Sequence, residues 1–225
     1  FKIPEPKVSE KGKNVSEILK AEIVSPDLCG RFVARVIEGV SIADSPQWLQ
    51  NRITSLGMRP VNNVVDVSNY VMLEMGQPSH TFDLASVSNS EFKVRWASDG
   101  EEIVTLDGVS RKLTTGDGVV ADGSNVPIGI AGVMGGNSTE ISEETSTVAL
   151  EMAWWEPSAI AKTSRRLGLR SEASARFERG TDPEIIETAM RRFCELLEPE
   201  VSLLPGLVDE QGDMPAREKI KVRVS

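Results

Sequence analysis

The alternation of apolar and polar side chains changes period several times along the chain, and each change predicts an element. Residues 21–24 and 31–40 are rich in β-branched side chains and are separated by Ser25-Pro26-Asp27, which predicts two strands and a turn. Ser45-Pro46 supplies an N-cap and a first-turn proline for a helix running to about Leu56 and stopped at Gly57. Arg59-Pro60 forces an extended step, after which residues 64–75 read as a second helix that Gly76 and Pro78 end. Strict alternation then takes over in 92–96, 103–106 and 109–113, and Asp107-Gly108 between the last two is a two-residue hairpin signal. Residues 119–121, 126–130 and 147–150 continue as strands. Helices are predicted over 157–167, ending at Gly168, and over 183–197, capped by Asp182. The fold class is therefore α+β, a strand-rich core of sandwich-like sheets flanked by several helices.

The edges of the chain have a different composition. Residues 1–18 are rich in Lys, Glu and Pro and read as a linker, and 207–225 as a second connection whose last residues, 219–225, alternate like a strand that begins something new. With Phe at position 1, these edges lead to the expectation that the chain is a segment of a longer polypeptide, with one domain over 19–206. No apolar run approaches the roughly 20 residues of a membrane helix, so the expected setting is soluble and cytoplasmic, with no membrane partner. Cys29 and Cys194 lack the paired spacing of a zinc or redox site and read as buried thiols; with one His, no His- or Cys-based metal site is expected, while carboxylates alone could still hold magnesium or calcium.

A net charge of −9 argues against the whole surface serving as a nucleic-acid platform. The balance is local, however: between Ala161 and Arg179 six basic residues stand against Glu172 and Glu178. Arginines interleaved with glutamates in this way form ion-pair scaffolding more often than an RNA contact. The run Gly129-Ile130-Ala131-Gly132-Val133-Met134-Gly135-Gly136 places four glycines in eight residues, as where backbone is approached closely by something else.

Three blocks carry information beyond composition. They are Arg59-Pro60-Val61-Asn62-Asn63-Val64-Val65-Asp66-Val67-Ser68-Asn69-Tyr70-Val71, continuing through Gly76-Gln77-Pro78-Ser79-His80-Thr81-Phe82-Asp83; the glycine run; and Glu151 followed by Arg165-Arg166-Leu167-Gly168-Leu169-Arg170-Ser171-Glu172 and on to Gly180. In this order and register they resemble the editing region of the bacterial-type phenylalanyl-tRNA synthetase beta chain, over about residues 19–205. The resemblance implies a double sieve. A synthetic site shaped for a phenyl ring does not strongly exclude an analogue that merely adds a hydroxyl, so a second site must hydrolyse the tyrosyl ester of the phenylalanine tRNA.

Residue roles follow from that resemblance. Glu151 matches the acid that recognises the para hydroxyl of tyrosine, and its apolar neighbours predict a dry carboxyl that finds a donor or shifts its pKa upward. His80 matches a pocket histidine that positions water or the terminal ribose, or acts as general base. Asn69 would orient the ester, Arg59 would hold the terminal adenosine phosphate or sugar, and Ser68 stands where the family often has Thr. Pro78, Ala131 and Gly132 match the amino acid cavity, where exposed amides of the latter two would form an oxyanion hole. The bland alternatives are a strand-end Glu paired with an Arg, a structural His, and a tight turn. The implied partners are the acceptor end of the tRNA, tyrosine as ligand and the synthetase alpha subunit. No cofactor is implied in this segment, while ATP and Mg2+ are expected for the complete synthetase. A module that only positions tRNA or braces subunits, or a free-standing editing protein of the same fold, are the rival readings.

Overall fold

The computed structural model describes residues 4–197 and 201–215. In chain order the elements are β1 (Lys20–Ile23), β2 (Cys29–Glu38), α1 (Gln47–Ser55), α2 (Asn63–Met75), β3 (His80–Asp83), β4 (Glu91–Trp96), β5 (Glu102–Val104), β6 (Ser110–Lys112) and β7 (Gly118–Asp122). There follow β8 (Pro127–Ile130), β9 (Met134–Gly135), β10 (Thr147–Trp155), α3 (Pro157–Leu167), α4 (Glu172–Phe177), α5 (Ile186–Leu197), β11 (Ser202–Leu203) and β12 (Val208–Gln211). Short 3-10 turns join several of them.

Two five-stranded sheets result. One has the order β1-β4-β7-β8-β9; the other has the order β11-β2-β10-β3, with β12 also paired to β2. β2 and β10 run antiparallel over almost their whole length, from Thr147 against Glu38 to Trp155 against Cys29. Strand periodicity divides their side chains. Phe32, Ala34, Val36, Ala149, Ala153 and Trp155 enter a core shared with Phe92, Val94, Val120 and Ile130 of the other sheet. Val33, Ile37, Val148, Leu150 and Met152 face away from it and pack with α1, α2 and α5. The α+β class with sandwich-like sheets and flanking helices is thus the observed architecture.

Local chemistry explains most boundaries. α2 starts at Asn62, whose side chain accepts from the Val65 amide, and stops at Gly76, which adopts φ 76°. α3 carries Pro157 in its first turn and ends on Gly168 at φ 66°. Three expectations are corrected. Ser45 does not cap α1; its hydroxyl donates instead to buried Asp66 (2.6 Å), which also accepts from the Val61 amide. The hairpin at Asp107-Gly108 is not a two-residue one. Only Gly108 has positive φ, the Gly108 amide donates to the Thr105 carbonyl and the Thr105 amide to that of Val109, the pattern of a type I turn with a bulge. β1 and β2 with a turn between them are as expected, and that turn carries the chain from one sheet to the other. The strand expected over 147–150 runs on to Trp155.

The stretches expected to be connections are built in. Glu10 bridges Leu203, the Val15 amide donates to the Pro205 carbonyl, and Val15 is fully buried. At the other end β12 pairs with β2, and Arg31 holds Asp209 through two hydrogen bonds of 3.0 and 2.7 Å. Their charged composition conceals a few anchoring apolar side chains. The alternating residues 219–225 lie outside the described residues.

Phe32 joins the two sheets, meeting Phe92 edge-on at 5.8 Å and Trp155 at 6.3 Å between ring centroids. Its truncation in Phe32→Ala should cost about 3–5 kcal/mol. In urea titration this is a lowered midpoint at unchanged slope; a midpoint within error of the parent protein would contradict the shared-core description.

Candidate functional site

Glu151 and His80 face each other across the β10–β3 pair. Directly opposed residues of an antiparallel pair share a sheet face with Cβ atoms about 5 Å apart, so topology alone brings the acid and the imidazole side by side. They point into a cavity between the two sheets, walled by Phe82, Val120, Ile130 and Trp155 and closed at one end by Ala173 and Phe177 of α4.

The acid is only 7% exposed and has no hydrogen-bond or ion-pair partner among the described residues. The reading of Glu151 as a strand-end acid paired with an arginine is therefore corrected: it lies mid-strand, and β2 and β3 flank that strand on both sides. Burial in these apolar surroundings pushes its pKa up to about 8, so the carboxyl is chiefly protonated at neutral pH. The nearby Cys29 thiol is also raised, by its own burial first and by the Glu151 charge second.

His80 sits at the rim, half-buried, its ring packed edge-on against Phe82 at 4.5 Å. Desolvation lowers its pKa to about 4, which leaves a neutral imidazole. No hydrogen bond orients it among the described residues. A neutral ring of low basicity suits holding water or a hydroxyl better than removing a proton.

The glycine turn forms the opposite wall. Gly132 adopts φ 65°, and a Cβ there would come within 2.9 Å of both Ile160 and Trp155. A Cβ on Gly135 would overlap the His80 ring. The expected pair of free amides is corrected to one. The Ala131 amide donates to the Gly118 carbonyl (3.0 Å), continuing the β7–β8 ladder, whereas the Gly132 amide has no partner among the described residues.

A groove adjoins the cavity and shares Ser79 and His80 with it; Ser68 and Asn69 of α2 line this groove. The Ser68 hydroxyl lies 2.8 Å from that of Ser79, tying α2 to the segment that delivers His80. The Asn69 amide is without a partner among the described residues. Pro78 lies in the cavity wall as expected. Arg59 is in neither space and is exposed beyond α1.

The sequence reading missed Gln77, Phe82, Trp155 and Phe177. Gln77 is fully buried and its amide donates to the Pro78 and Ala153 carbonyls, so it ties the approach to β3 against β10 where β3 has not yet begun. Strand alternation carried a signal for two of the others: Phe82 is two residues from His80, and Trp155 four from Glu151. In the arginine-rich stretch, Arg166 pairs with Asp117, Arg170 with Glu178 and Arg176 with Glu172, an ion-pair scaffold as expected.

The buried pair makes stability depend on pH in opposite senses. The raised Glu151 pKa means that the folded protein holds a proton the unfolded chain releases, so stability falls as pH rises from about 4.5 to about 8. The lowered His80 pKa makes stability fall as pH drops from about 6.5 to about 4. The two oppose below pH ~6.5, and only the acid acts above it. Denaturant titrations should show stability declining between pH 6.5 and 8, with Glu151→Gln abolishing that decline. The same slope in parent and variant would place the responsible group elsewhere.

The family model for the B3/4 domain matches residues 28–200. The phenylalanine–tRNA ligase beta subunit of Anaeromyxobacter dehalogenans is 44% identical over 99% of this chain, and that of Moorella thermoacetica 47% over 89%. The chain spans about a quarter of the length of these relatives, 28% and 25%. Among solved structures, an N-terminal fragment of the phenylalanyl-tRNA synthetase beta-subunit from Pyrococcus horikoshii is similar over 73% of this chain and 52% of its own, with TM-score 0.47 and 11% identity.

Proposed function

Since the chain belongs to the B3/4 domain family, in the form found within phenylalanine–tRNA ligase beta subunits, we propose that it is a proofreading site that hydrolyses the ester of tyrosine on the phenylalanine tRNA. The observation that carries this reading is the unpartnered, protonated Glu151 at the dry end of an apolar cavity. A phenol entering the cavity gives the carboxyl a partner that both donates and accepts. Phenylalanine leaves it desolvated and unpaired, a penalty of about 1–3 kcal/mol. Discrimination thus comes from what the wrong occupant fails to satisfy.

The reacting end of the ester falls to the other wall. The Gly132 amide is the donor for oxygen charge developing on the carbonyl, and Asn69 orients the ribose side. His80, neutral and at the rim, holds the attacking water by accepting its hydrogen bond. The water oxygen forms a bond to the carbonyl carbon, the ester bond to the ribose oxygen breaks, and a proton passes to that oxygen to release free tyrosine and tRNA. An aminoacyl ester is an activated acyl group, so positioning and a single well-placed amide supply the acceleration without a nucleophilic side chain or a cofactor in this segment. Arg59, exposed outside both spaces, is available to the tRNA beyond its terminal nucleotide. The acceptor end of that tRNA, the alpha subunit and a cytoplasmic setting belong to the same proposal; among the described residues no helix is long and apolar enough to cross a membrane.

The test is deacylation by the whole ligase that contains this chain. Tyrosyl-tRNA should be cleaved about tenfold or more faster than phenylalanyl-tRNA. Glu151→Leu should remove most of that preference by speeding cleavage of the phenylalanyl ester, whose penalty is relieved, and slowing that of the tyrosyl ester, whose hydroxyl loses its partner, while His80→Ala should lower kcat for both. Equal rates on the two esters in the unmodified enzyme would overturn the proposal, and an unchanged preference in Glu151→Leu would overturn the role of the acid.

A further inference from the structure

An RNA that carries the ester brings many phosphates with it, yet among the described residues no Lys or Arg lines the cavity or the groove beside it. Cations are gathered instead behind α4. That helix closes the cavity with Ala173 and Phe177, four residues apart and so on one face. Its other face, with Ala175 and Arg176, lines a separate hollow of about 470 Å³ together with Arg170 and Arg179. A second hollow, of about 300 Å³, holds Arg165 and shares Arg170 with the first. Four arginines thus border one continuous trough.

The side chains of the trough decide what kind of ligand fits. Among the described residues Ala175 is its one apolar side chain, so it offers no aromatic or aliphatic anchor for a base or for the core of a protein interface. Two of the arginines are braced, Arg176 by Glu172 at 2.8 Å and Arg170 by Glu178 at 3.1 Å. Ion pairs this exposed are weak, and they aim the guanidinium groups without committing them. Arg165, in the last turn of α3, and Arg179, just after α4, are exposed and have no hydrogen-bond or ion-pair partner among the described residues. Four arginines against Glu172 and Glu178 leave two positive charges in excess, on a protein whose net charge is −9. A polyanion repelled by the rest of the surface is therefore attracted here, and the planar guanidinium fork matches paired phosphate oxygens.

We propose that this trough binds the phosphodiester backbone of the RNA at nucleotides beyond the one that carries the ester, with Arg165 and Arg179 as its uncommitted contacts. The assignment rests on the proofreading reading above, which supplies the RNA. The cavity takes a single amino acid side chain, so the back of its end wall lies within the span of a folded RNA of many nucleotides. α4 then has two uses: one face ends the amino acid cavity, and the other holds the polymer that delivers the amino acid.

The experiment follows deacylation of tyrosyl-tRNA by the whole ligase between about 50 and about 500 mM salt, over which phosphate contacts are progressively lost. The double variant Arg165→Ala, Arg179→Ala, at two positions outside the cavity, should raise KM about tenfold at the low end and change kcat little. Its plot of log KM against log salt should be flatter by about 1.5, since each phosphate contact contributes roughly 0.7–0.9. Parent and variant should converge at the high end, and Arg165→Lys, Arg179→Lys should keep most of the parent slope. A double alanine variant with the parent KM at every salt, or with a loss that high salt leaves undiminished, would overturn the RNA trough while tyrosyl hydrolysis stands. An unmoved KM in a variant ligase that falls apart in sedimentation would give the trough to an acidic protein surface and overturn the RNA assignment likewise. An unmodified enzyme inactive on tyrosyl-tRNA would overturn the proofreading reading and this one with it.

Discussion

The arrangement depends on one costly interaction: a carboxyl carried into a sheet interior with nothing to pair it. β10 places Glu151 between β2 and β3, and all nine residues of that strand except Thr147 are buried. Desolvation keeps the acid protonated. A neutral carboxylic acid is a hydrogen-bond donor as well as an acceptor, which an ionised one is not. The same burial that neutralises the acid neutralises His80, so the cavity holds two titratable groups and little charge.

Around that pair the backbone is arranged by close approach. The positive φ of Gly132 turns the chain between β8 and β9, and the missing side chains at Gly132 and Gly135 leave room for Trp155, Ile160 and the imidazole. The turn therefore forms one wall of the cavity and leaves the Gly132 amide without a partner among the described residues. Gln77 and Ser68 do related work on the other side: the first extends the β10 edge by side-chain hydrogen bonds, and the second ties α2 to Ser79. The site is thus assembled from a sheet, a turn and a helix that are fixed to one another by a few buried polar contacts.

Much of the fold was legible because its signals were local. Gly76 and Gly168 end helices where expected, and the alternation in 92–96 and 119–121 marks two central strands. What escaped was non-local. The four residues His80–Asp83 form a strand only because β10 offers an edge, β12 only because β2 does, and Ser45 abandons its cap because Asp66 is within reach. The candidate site shows the same division. His80, Glu151, Pro78, Ala131 and Gly132 were picked out by resemblance and meet in one cavity, whereas Arg59 does not join them. That the Ala131 amide is already used could not be read from a glycine-rich run, because its acceptor, Gly118, belongs to another strand.

A lone buried acid is a poor choice for stability, since replacing it by an apolar residue of similar size removes a desolvation cost. Its retention makes sense where selectivity is set by penalty. On the proposed proofreading reading, an attractive contact to tyrosine would add affinity for the intended occupant but do nothing against phenylalanine, which would fit the same apolar walls. A polar group left unpaired by phenylalanine works against that occupant specifically, and the drier its surroundings the larger the effect. On that reading, the stability cost of burying Glu151 and the discrimination it would exert have one physical origin, a carboxyl held in dry surroundings.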